Sequence, residues 1–261
     1  MGYEDIIFTK EQMIATIRFN RPQAMNSFGS KMMEEIFQAI EDVKNDPDAR
    51  VLVLASTGRA WSTGADVKAM AEGGLINQAR EGERPEAPNF ALTLRNLDKP
   101  VIASIDGFAV GGGLDLALAC DIRIASDRAK FAEVFIRRGL IPALGGTYFL
   151  PRLVGIDKAC ELIWTGDMVD ANEALKLGMV TKVVPHEELE DATYELSAKL
   201  AKGPPLAIAA AKRAIYDGLT MDLAWTLRYT LDRVAELSKT EDHKEGALAF
   251  VEKREPHFKG R

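Results

Sequence analysis

Residues 107–121 read GFAVGGGLDLALACD and follow a continuous apolar run, VIASI, at residues 101–105. The apolar run predicts a buried strand, and the apolar positions after the three glycines predict a helix over residues 111–120. Glycine at such a junction leaves backbone N–H groups without partners inside the helix, so a ligand can reach them. Close packing of the helix against a strand would by itself also explain a single glycine triplet.

Outward from this segment, short β-rich runs alternate with helical patterns, which is typical of an α/β protein. Strands are predicted at residues 13–19, 51–55, 101–105 and 122–125, and helices at residues 30–44, 89–97 and 111–120. After Gly155 the pattern changes to helix on helix, with one further strand at residues 180–184. We therefore predict an α/β core over residues 1–200 and a helical C-terminal region over residues 201–261.

The composition argues against several classes of protein. The 261 residues are 47% hydrophobic and 28% charged, with a net charge of −6. No basic stripe is present, so a nucleic-acid partner is not expected, and no apolar run approaches the length of a membrane span. The first ten residues do not resemble a secretion signal, and Cys120 and Cys160 lie far apart in sequence. We therefore expect a cytoplasmic protein that does not act at a membrane.

Sequence motifs for common cofactors and metals are missing. The chain has no G-x-G-x-x-G after a strand, no P-loop, no H-E-x-x-H and no C-x-x-C. Its three histidines, His186, His243 and His257, lie late in the chain and have no partner at metal-ligand spacing. We expect neither a nucleotide cofactor nor a bound metal ion.

A second glycine-containing turn, WSTGAD at residues 61–66, follows the predicted strand at residues 51–55. Together with the glycine triplet, it supplies unpaired backbone N–H groups from two separate strands. Two such groups that converge form an oxyanion hole, and the positive end of the following helix dipole adds to it. The two turns therefore predict a site that stabilises negative charge developing on a carbonyl oxygen.

Further motifs follow one another in a recognisable order. They are NRPQAMN at residues 20–26, STGAD at 62–66, GGGLDLA at 111–117, FAE at 131–133, GLIP at 139–142 and GGT at 145–147. With these motifs in this order, the chain resembles the crotonase (enoyl-CoA hydratase/isomerase) superfamily over nearly its whole length. The resemblance implies a spiral of ββα units with a C-terminal helical trimerisation region, and assembly as a homotrimer or homohexamer. It also implies acyl-CoA substrates, with coenzyme A as part of the substrate and no separate cofactor.

The resemblance further assigns roles to individual residues. The backbone N–H groups of Ala65 and Gly112 would bind the thioester carbonyl, and Lys68 would lie near a CoA phosphate. The substrate-binding residues that it implies are Ala24, Gly64, Ala65, Asp66, Val67, Lys68, Gly111, Phe135 and Pro142.

The acid–base residues depart from the pattern of the hydratases that the chain resembles. Those enzymes carry two glutamates, and the matching positions here are Asp115 and Phe135. Phenylalanine cannot transfer a proton. Ring-forming isomerases of the superfamily use an aspartate just after G-L-x-P, but that position is Ala143. Asp115 is therefore the first candidate for the catalytic acid or base, although a carboxylate near a helix start can also serve as a cap.

Glu133 is the second candidate carboxylate. It lies two residues before Phe135, and strand alternation would place both side chains on the same face. A salt bridge of Glu133 with Arg137 or Arg138 is the interpretation that we favour from the sequence, with a catalytic role as the alternative.

We therefore predict an enoyl-CoA hydratase/isomerase that acts through an oxyanion-stabilised enolate. With one clear carboxylate, a cyclic or conjugated enoyl-CoA is a candidate substrate. The alternatives are an acyl-CoA thioester hydrolase, and a low-turnover homologue that binds acyl-CoA or RNA.

Overall fold

The computed structural model describes residues 2–66 and 89–261. The strands among them are β1 (Ile6–Glu11), β2 (Ile14–Phe19), β3 (Val51–Ser56), β4 (Ala60–Ser62), β5 (Val101–Ile105), β6 (Phe108–Val110), β7 (Ile122–Ser126), β8 (Lys130–Ala132), β9 (Val169–Asp170) and β10 (Lys182–Val184). The helices are α1 (Ser30–Asn45), α2 (Phe90–Arg95), α3 (Gly112–Ala119), α4 (Gly146–Val154), α5 (Ile156–Thr165), α6 (Ala171–Lys176), α7 (Leu189–Ala201), α8 (Pro205–Gly218), α9 (Leu223–Leu237) and α10 (Glu241–Glu252). Short 3₁₀ helices span Pro22–Ala24, Val134–Arg138 and His186–Glu188.

Two sheets run side by side through the first part of the chain. The larger has the order β1-β2-β3-β5-β7-β10, and the smaller has the order β4-β6-β8-β9. Strands β2, β3, β5, β7 and β10 pair in parallel, whereas β1 pairs with β2 in antiparallel fashion. Each parallel strand of the larger sheet from β3 to β7 is followed by a short strand of the smaller sheet. In the unit β5-β6-α3 a helix then follows, so the predicted α/β spiral of ββα units is confirmed.

The central strands are buried on both faces, which is why their sequences read as continuous apolar runs rather than alternating ones. In β5 every residue is buried. One face of the larger sheet packs against a cluster of aromatic side chains. In this cluster the ring centroids of Phe19 and Trp61 lie 5.0 Å apart, and the rings of Phe37 and Phe90 stack with their centroids 4.3 Å apart. Helix α7 covers the other face through buried residues such as Leu189. The sheet therefore forms a rigid base for the loops at its strand ends.

Three parts of the sheet prediction need correction. Strand β1 was not predicted, because its hairpin to β2 turns at Gln12 and Met13 with φ 48° and 67°, and neither residue is a typical turn former. The smaller sheet was not predicted either, since strands of two or three residues are too short to show a periodicity. The strand expected at residues 180–184 is limited to Lys182–Val184.

The chain after residue 204 folds into α8, α9 and α10, as the helical pattern predicts. The Thr240 side chain caps α10 by accepting a hydrogen bond from the N–H of His243 at 3.1 Å. Whether this region is separate from residues 1–200 stays a prediction. No helix in the described part of the chain is both long enough and apolar enough to cross a membrane.

Gly113 fixes how closely α3 approaches the smaller sheet. A Cβ at Gly113 would overlap with the backbone carbonyl of Ser62 in β4 and lie 2.9 Å from the Ser62 Cβ. The first turn of α3 therefore rests directly on the end of β4. This contact brings the two glycine-containing turns together.

The first prediction concerns this contact. Gly113→Ala should lower the free energy of unfolding by about 1–3 kcal/mol, because backbone must move to admit the methyl group. A gain of about 0.5–1 kcal/mol from the better helix propensity of alanine will offset only part of this loss. Denaturant unfolding followed by circular dichroism measures the change.

Gly246→Ala is the matched control, because Gly246 also lies inside a helix and its Cβ would make only an ordinary contact of 3.4 Å with Phe258. Equal stability changes in the two variants would show that the contact of α3 with β4 does not restrict the side chain at position 113.

Candidate active site

The loop after β2 is built around the buried side chain of Asn26. Its carboxamide oxygen accepts a hydrogen bond from the N–H of Arg21 at 2.7 Å, and its amide group donates to the carbonyls of Thr57 and Ala60 at 2.9 and 2.7 Å. Asn26 has φ 52°, a left-handed conformation that asparagine tolerates better than most residues. These three bonds tie the loop to the turn between β3 and β4.

The turn after β4 is held by the buried hydroxyl of Ser62, which donates to the Asn26 carbonyl at 2.8 Å and accepts from the N–H of Gly64 at 3.1 Å. Residues Phe28 and Ala65 form an isolated parallel bridge. The N–H of Phe28 bonds to the Gly64 carbonyl, and the next residue, Asp66, bonds back to the Phe28 carbonyl. In a parallel bridge of this kind the N–H of Ala65 points away from Phe28.

The N–H groups of Ala65 and Gly112 lie close together. A Cβ at Gly112 would lie 3.8 Å from the Ala65 nitrogen, and a Cβ at Gly64 would lie 2.6 Å from the Gly112 nitrogen. Gly64 has φ +76°, so both its backbone conformation and this close approach require glycine.

Gly112 is the first residue of α3, whose first N–H groups have no partner within the helix. Neither the Ala65 nor the Gly112 N–H donates to any group among residues 2–66 and 89–261. Two free donors therefore meet at the positive end of a helix, which is the arrangement of an oxyanion hole.

Asp115 is fully buried one turn further along α3. One carboxylate oxygen accepts a hydrogen bond from the N–H of Leu144 at 3.0 Å, in the loop before α4. The other oxygen has no hydrogen-bond partner in the described part of the chain. Asp115 does not cap its own helix, because the residue at the cap position is Gly111. The Asp115 side chain thus makes no capping bond to α3, although it lies in the first turn of that helix, and one of its oxygens is left unpaired among the described residues.

Glu133 lies beside Asp115. A Cβ at Gly146 would overlap with a carboxylate oxygen of Asp115 and lie 2.8 Å from an oxygen of Glu133, so both carboxyl groups contact the same Cα atom. Glu133 is 1% exposed, and neither of its carboxyl oxygens has a hydrogen-bond partner within the described residues. The structure thus brings two carboxyl groups together where the sequence pattern indicated one.

Two expectations for Glu133 are wrong. The segment after it is a 3₁₀ helix rather than a strand, so Glu133 and Phe135 do not share a face through strand alternation. Glu133 also forms no salt bridge with its arginine neighbours. Arg137 instead lies 3.6 Å from the carboxylate of Asp167.

Burial changes the ionisation of both carboxyl groups. It raises the pKa of Asp115 to about 6, although the hydrogen bond from the Leu144 N–H acts in the opposite direction. Burial, and then the negative charge of Asp115, raise the pKa of Glu133 well above its usual range. A second negative charge is therefore disfavoured in this pocket, so the pair can hold a proton that each carboxyl group alone would lose.

A groove of about 750 Å³ leads away from the oxyanion hole. It is lined by Gln23, Ala24, Met25, Ser27, Thr63, Ala65, Asp66, Val110, Val134, Arg137 and Arg138. Three of the predicted substrate-binding residues, Ala24, Ala65 and Asp66, are among them. The predicted residues Val67 and Lys68 lie outside the described part of the chain.

Other predicted residues surround the reacting centre rather than the groove. The ring of Phe135 would lie 3.8 Å from a Cβ at Gly111, and Pro142 lies beside Gly146. Sequence reasoning missed Leu144 and Gly146. The GGT motif at residues 145–147 was the available signal for Gly146, but nothing in the sequence indicates that the Leu144 N–H binds Asp115.

Among the described residues, no group of three or more histidine, cysteine, aspartate and glutamate side chains could hold a metal ion. The groups that this site offers for catalysis are two backbone N–H donors and two carboxyl groups next to a groove.

Comparison with known proteins gives a consistent result. The family model described as Enoyl-CoA hydratase/isomerase matches residues 9–261. A crotonyl-CoA hydratase of Syntrophomonas wolfei is 37% identical over 259 residues, covering 99% of each chain. An (E)-benzylidenesuccinyl-CoA hydratase of Thauera aromatica is 38% identical, covering 95% of this chain and 96% of the relative. The crystal structure of an enoyl-CoA hydratase from Bacillus anthracis superposes with a TM-score of 0.92 at 34% identity, covering 99% of this chain and 100% of that one.

The spiral fold and the paired amides beside buried carboxyl groups define an enzyme of the crotonase type. The chain belongs to the enoyl-CoA hydratase/isomerase family. The predicted superfamily and the predicted enzyme class are thereby confirmed.

The second prediction concerns pH and stability. Because the pKa of Glu133 is higher in the folded than in the unfolded state, the folded protein binds more protons, and its free energy of unfolding falls as pH rises above the usual glutamate range. Glu133→Gln removes the cost of ionising this buried group. We expect the variant to be more stable than the parent at pH 8, by on the order of 1 kcal/mol, with a smaller difference at pH 5. Urea unfolding at several pH values measures this.

Glu195→Gln is the control, because Glu195 is exposed on α7. A parent and a Glu133→Gln variant whose stabilities change in parallel between pH 5 and pH 8 would contradict the burial-driven shift at Glu133.

Proposed function

We propose that the protein adds water across the double bond of a 2-enoyl-CoA thioester. The observation that carries the proposal is the pair of buried carboxyl groups of Asp115 and Glu133, close to the free N–H groups of Ala65 and Gly112. Between them, these four groups can stabilise the enolate oxygen and transfer the two protons of the hydration.

The amide pair acts on the thioester carbonyl. When water attacks the β-carbon, electrons move through the double bond to the carbonyl oxygen, which becomes an enolate oxygen. The N–H groups of Ala65 and Gly112 donate to that oxygen, and one such donor is typically worth about 2.7–4 kcal/mol. The donors are held in place before substrate binds, so no reorganisation is needed during the reaction.

The carboxyl pair moves the protons. In this mechanism Asp115 takes a proton from the attacking water while the oxygen bonds to the β-carbon. Glu133 donates its proton to the α-carbon, and the enolate becomes the hydroxyacyl thioester. Proton transfer from Asp115 to Glu133 then restores the starting state, because the two groups are neighbours. The same pair can move a double bond when no water is added.

Apolar residues surround the place where the acyl chain would lie. Phe135 occupies the position at which the resemblance puts a second glutamate, and its ring lies near Gly111 at the start of α3. Leu144 contacts Gly112 from the other side, with 3.3 Å between its Cδ1 atom and a Cβ at that glycine. We propose that Phe135, Leu144 and Pro142 line an apolar acyl site. Coenzyme A enters only as part of the substrate, and the reaction uses no further cofactor.

The C-terminal helices support assembly into a homotrimer or homohexamer. On α9 the side chains of Leu223, Leu227, Leu231 and Val234 follow one another along one helix face and are 73%, 53%, 67% and 61% exposed. Trp164 and Phe250 are also exposed in the single chain. Exposed apolar surface of this extent is typical of a protein interface. Nucleic acid is not among the proposed partners, and the two free cysteines agree with a cytoplasmic location.

The third prediction tests the reaction. Incubation with crotonyl-CoA should lower the absorbance of the conjugated thioester, and Asp115→Asn should reduce kcat by at least about 100-fold with little change in KM, as expected for loss of a catalytic base. Asp167→Asn, at an exposed aspartate, is the control.

Two results would contradict the proposed reaction. Near-normal turnover by Asp115→Asn would remove Asp115 from the chemistry. Release of free thiol in step with the absorbance change would identify a thioester hydrolase instead.

The fourth prediction tests assembly. Light scattering of the parent protein at micromolar concentration should give the mass of a trimer or hexamer, and the double change Leu227→Glu with Leu231→Glu should shift the mass towards the monomer. Lys199→Glu changes charge on the exposed side of α7 and should leave the mass unaltered. A monomeric parent protein would contradict the interface on α9.

A further inference from the structure

Strand β7 carries a single charged residue, Arg123, in the stretch IRIAS at residues 122–126. Arg123 is 5% exposed and lies in the larger sheet opposite Ala103 of β5. Burial lowers the pKa of its guanidinium, but arginine starts from so high a value that it keeps its proton. A buried charge costs free energy unless it is well bonded, so what this charge binds needs an explanation.

The guanidinium of Arg123 lies at the C-terminal end of α3. Its Nη1 atom donates to the carbonyl of Cys120, the residue after the helix, at 2.6 Å, and lies 3.5 Å from the carbonyls of Ala117 and Leu118. Its Nε atom donates to the carbonyl of Met179, between α6 and β10, at 2.7 Å. The last carbonyls of a helix have no partner within it, and all eight residues of α3 are buried. Arg123 therefore supplies partners that water does not reach.

The neighbouring charged and titratable groups do not cancel the charge on Arg123. Lys212 of α8 and Asp121 form their own ion pair at 2.8 Å, so together they contribute no net charge. Burial raises the pKa of the Cys120 thiol to about 12, and it is also the main cause of a raised pKa at Tyr216, whose phenol donates to Asp121 at 2.7 Å. Both groups are therefore neutral near pH 7. Side chains at this end of α3 add up to one net positive charge.

The opposite end of α3 forms part of the oxyanion hole. Eight residues at about 1.5 Å each make the helix about 12 Å long, so the guanidinium lies on the order of 15 Å from an oxygen bound at Gly112. Across buried protein with an effective dielectric constant of about 20, a unit charge at this distance stabilises an enolate oxygen by the equivalent of about a fivefold change in rate. The charge on Arg123 is therefore close enough to affect the oxyanion hole.

We propose that Arg123 is a positioning residue, whose buried positive charge at the C-terminal end of α3 strengthens the oxyanion hole at the N-terminal end. The inference rests on the proposed function, because it takes the thioester carbonyl to be bound by the N–H groups of Ala65 and Gly112. Arg123 holds the helix by binding its last carbonyls, and its charge offsets the negative end of the helix dipole. An enolate oxygen at Gly112 therefore meets a more positive potential than the helix alone provides.

The test follows the polarisation of a bound thioester carbonyl, which a purely structural role of Arg123 would not change. The probe is cinnamoyl-CoA, because an oxyanion hole draws electrons from its conjugated chain towards the carbonyl oxygen and moves its absorbance maximum to longer wavelength. Arg123→Gln keeps an N–H donor and removes the charge. It should reduce the shift of the bound probe and lower kcat for crotonyl-CoA about fivefold, with little change in KM. Arg123→Lys keeps the charge and should retain most of both.

Asp121→Asn is a second variant, which leaves the carbonyl contacts of Arg123 in place. It removes a negative charge at the same end of α3 and keeps a side chain of the same size, so the charge on Lys212 is no longer balanced. The absorbance maximum of the bound probe should then move further to longer wavelength. The opposite signs expected for the two variants decide the question even if Arg123→Gln does not fold.

Arg50→Gln is the matched control. Arg50 also binds two backbone carbonyls, those of Ala201 and Phe258 at 3.0 and 2.7 Å, and neither belongs to α3 or to the site. Its replacement should lower the free energy of unfolding and leave both the shift of the probe and kcat unchanged.

Four results would overturn the role of Arg123. A folded Arg123→Gln variant could bind the probe with the parent's absorbance maximum, Arg123→Lys could lose as much of the shift as Arg123→Gln, Asp121→Asn could fail to move the maximum to longer wavelength, or Arg50→Gln could lower kcat equally. Failure of the proposed function looks different, because the parent protein itself would then not hydrate crotonyl-CoA. If that parent still shifts the probe, the comparison of variants decides the role of Arg123 without turnover.

Discussion

The site depends on the contact between the turn after β4 and the first turn of α3. Gly113 lets α3 rest on the backbone of Ser62, and Gly64 lets the turn approach the Gly112 nitrogen. A side chain at either glycine would separate the N–H groups of Ala65 and Gly112. The two turns follow β4 and β6, which pair in parallel within the smaller sheet, and this pairing, the Asn26 loop and the helix start together hold two amide groups a few ångströms apart.

The same close packing creates the ionisation pattern of the carboxyl pair. Gly146 has no side chain, so its Cα lies against both Asp115 and Glu133 and excludes water from them. Three carboxyl oxygens without a hydrogen-bond partner among the described residues cost folding free energy in such a pocket, because burial disfavours the charged forms of these groups. A protein tolerates that cost where the raised pKa values are useful. In the proposed mechanism Glu133 is such a group, so the burial that lowers stability is the burial that keeps its proton in place.

Much of this could be predicted from the sequence, because glycine has few reasons to appear three times at a strand-to-helix junction. The apolar runs predicted the strands at residues 51–55 and 101–105, and the resemblance to the crotonase superfamily implied that the N–H groups of Ala65 and Gly112 meet. The partner of Asp115 could not be predicted, since the Leu144 N–H is a backbone group that any residue supplies. The smaller sheet was missed because its strands are too short to show an alternation of apolar and polar residues.

Glu133 was misjudged for a specific geometric reason. In a strand, residues two apart point to the same side, so Glu133 was expected to share a face with Phe135. Glu133 is instead the N-cap residue of the 3₁₀ helix Val134–Arg138, so strand alternation does not extend to Phe135. Glu133 lies beside Asp115, whereas the ring of Phe135 lies near Gly111 at the start of α3. A change of secondary structure over five residues thus brings a second carboxyl group next to Asp115 from a position that strand alternation would have paired with Phe135.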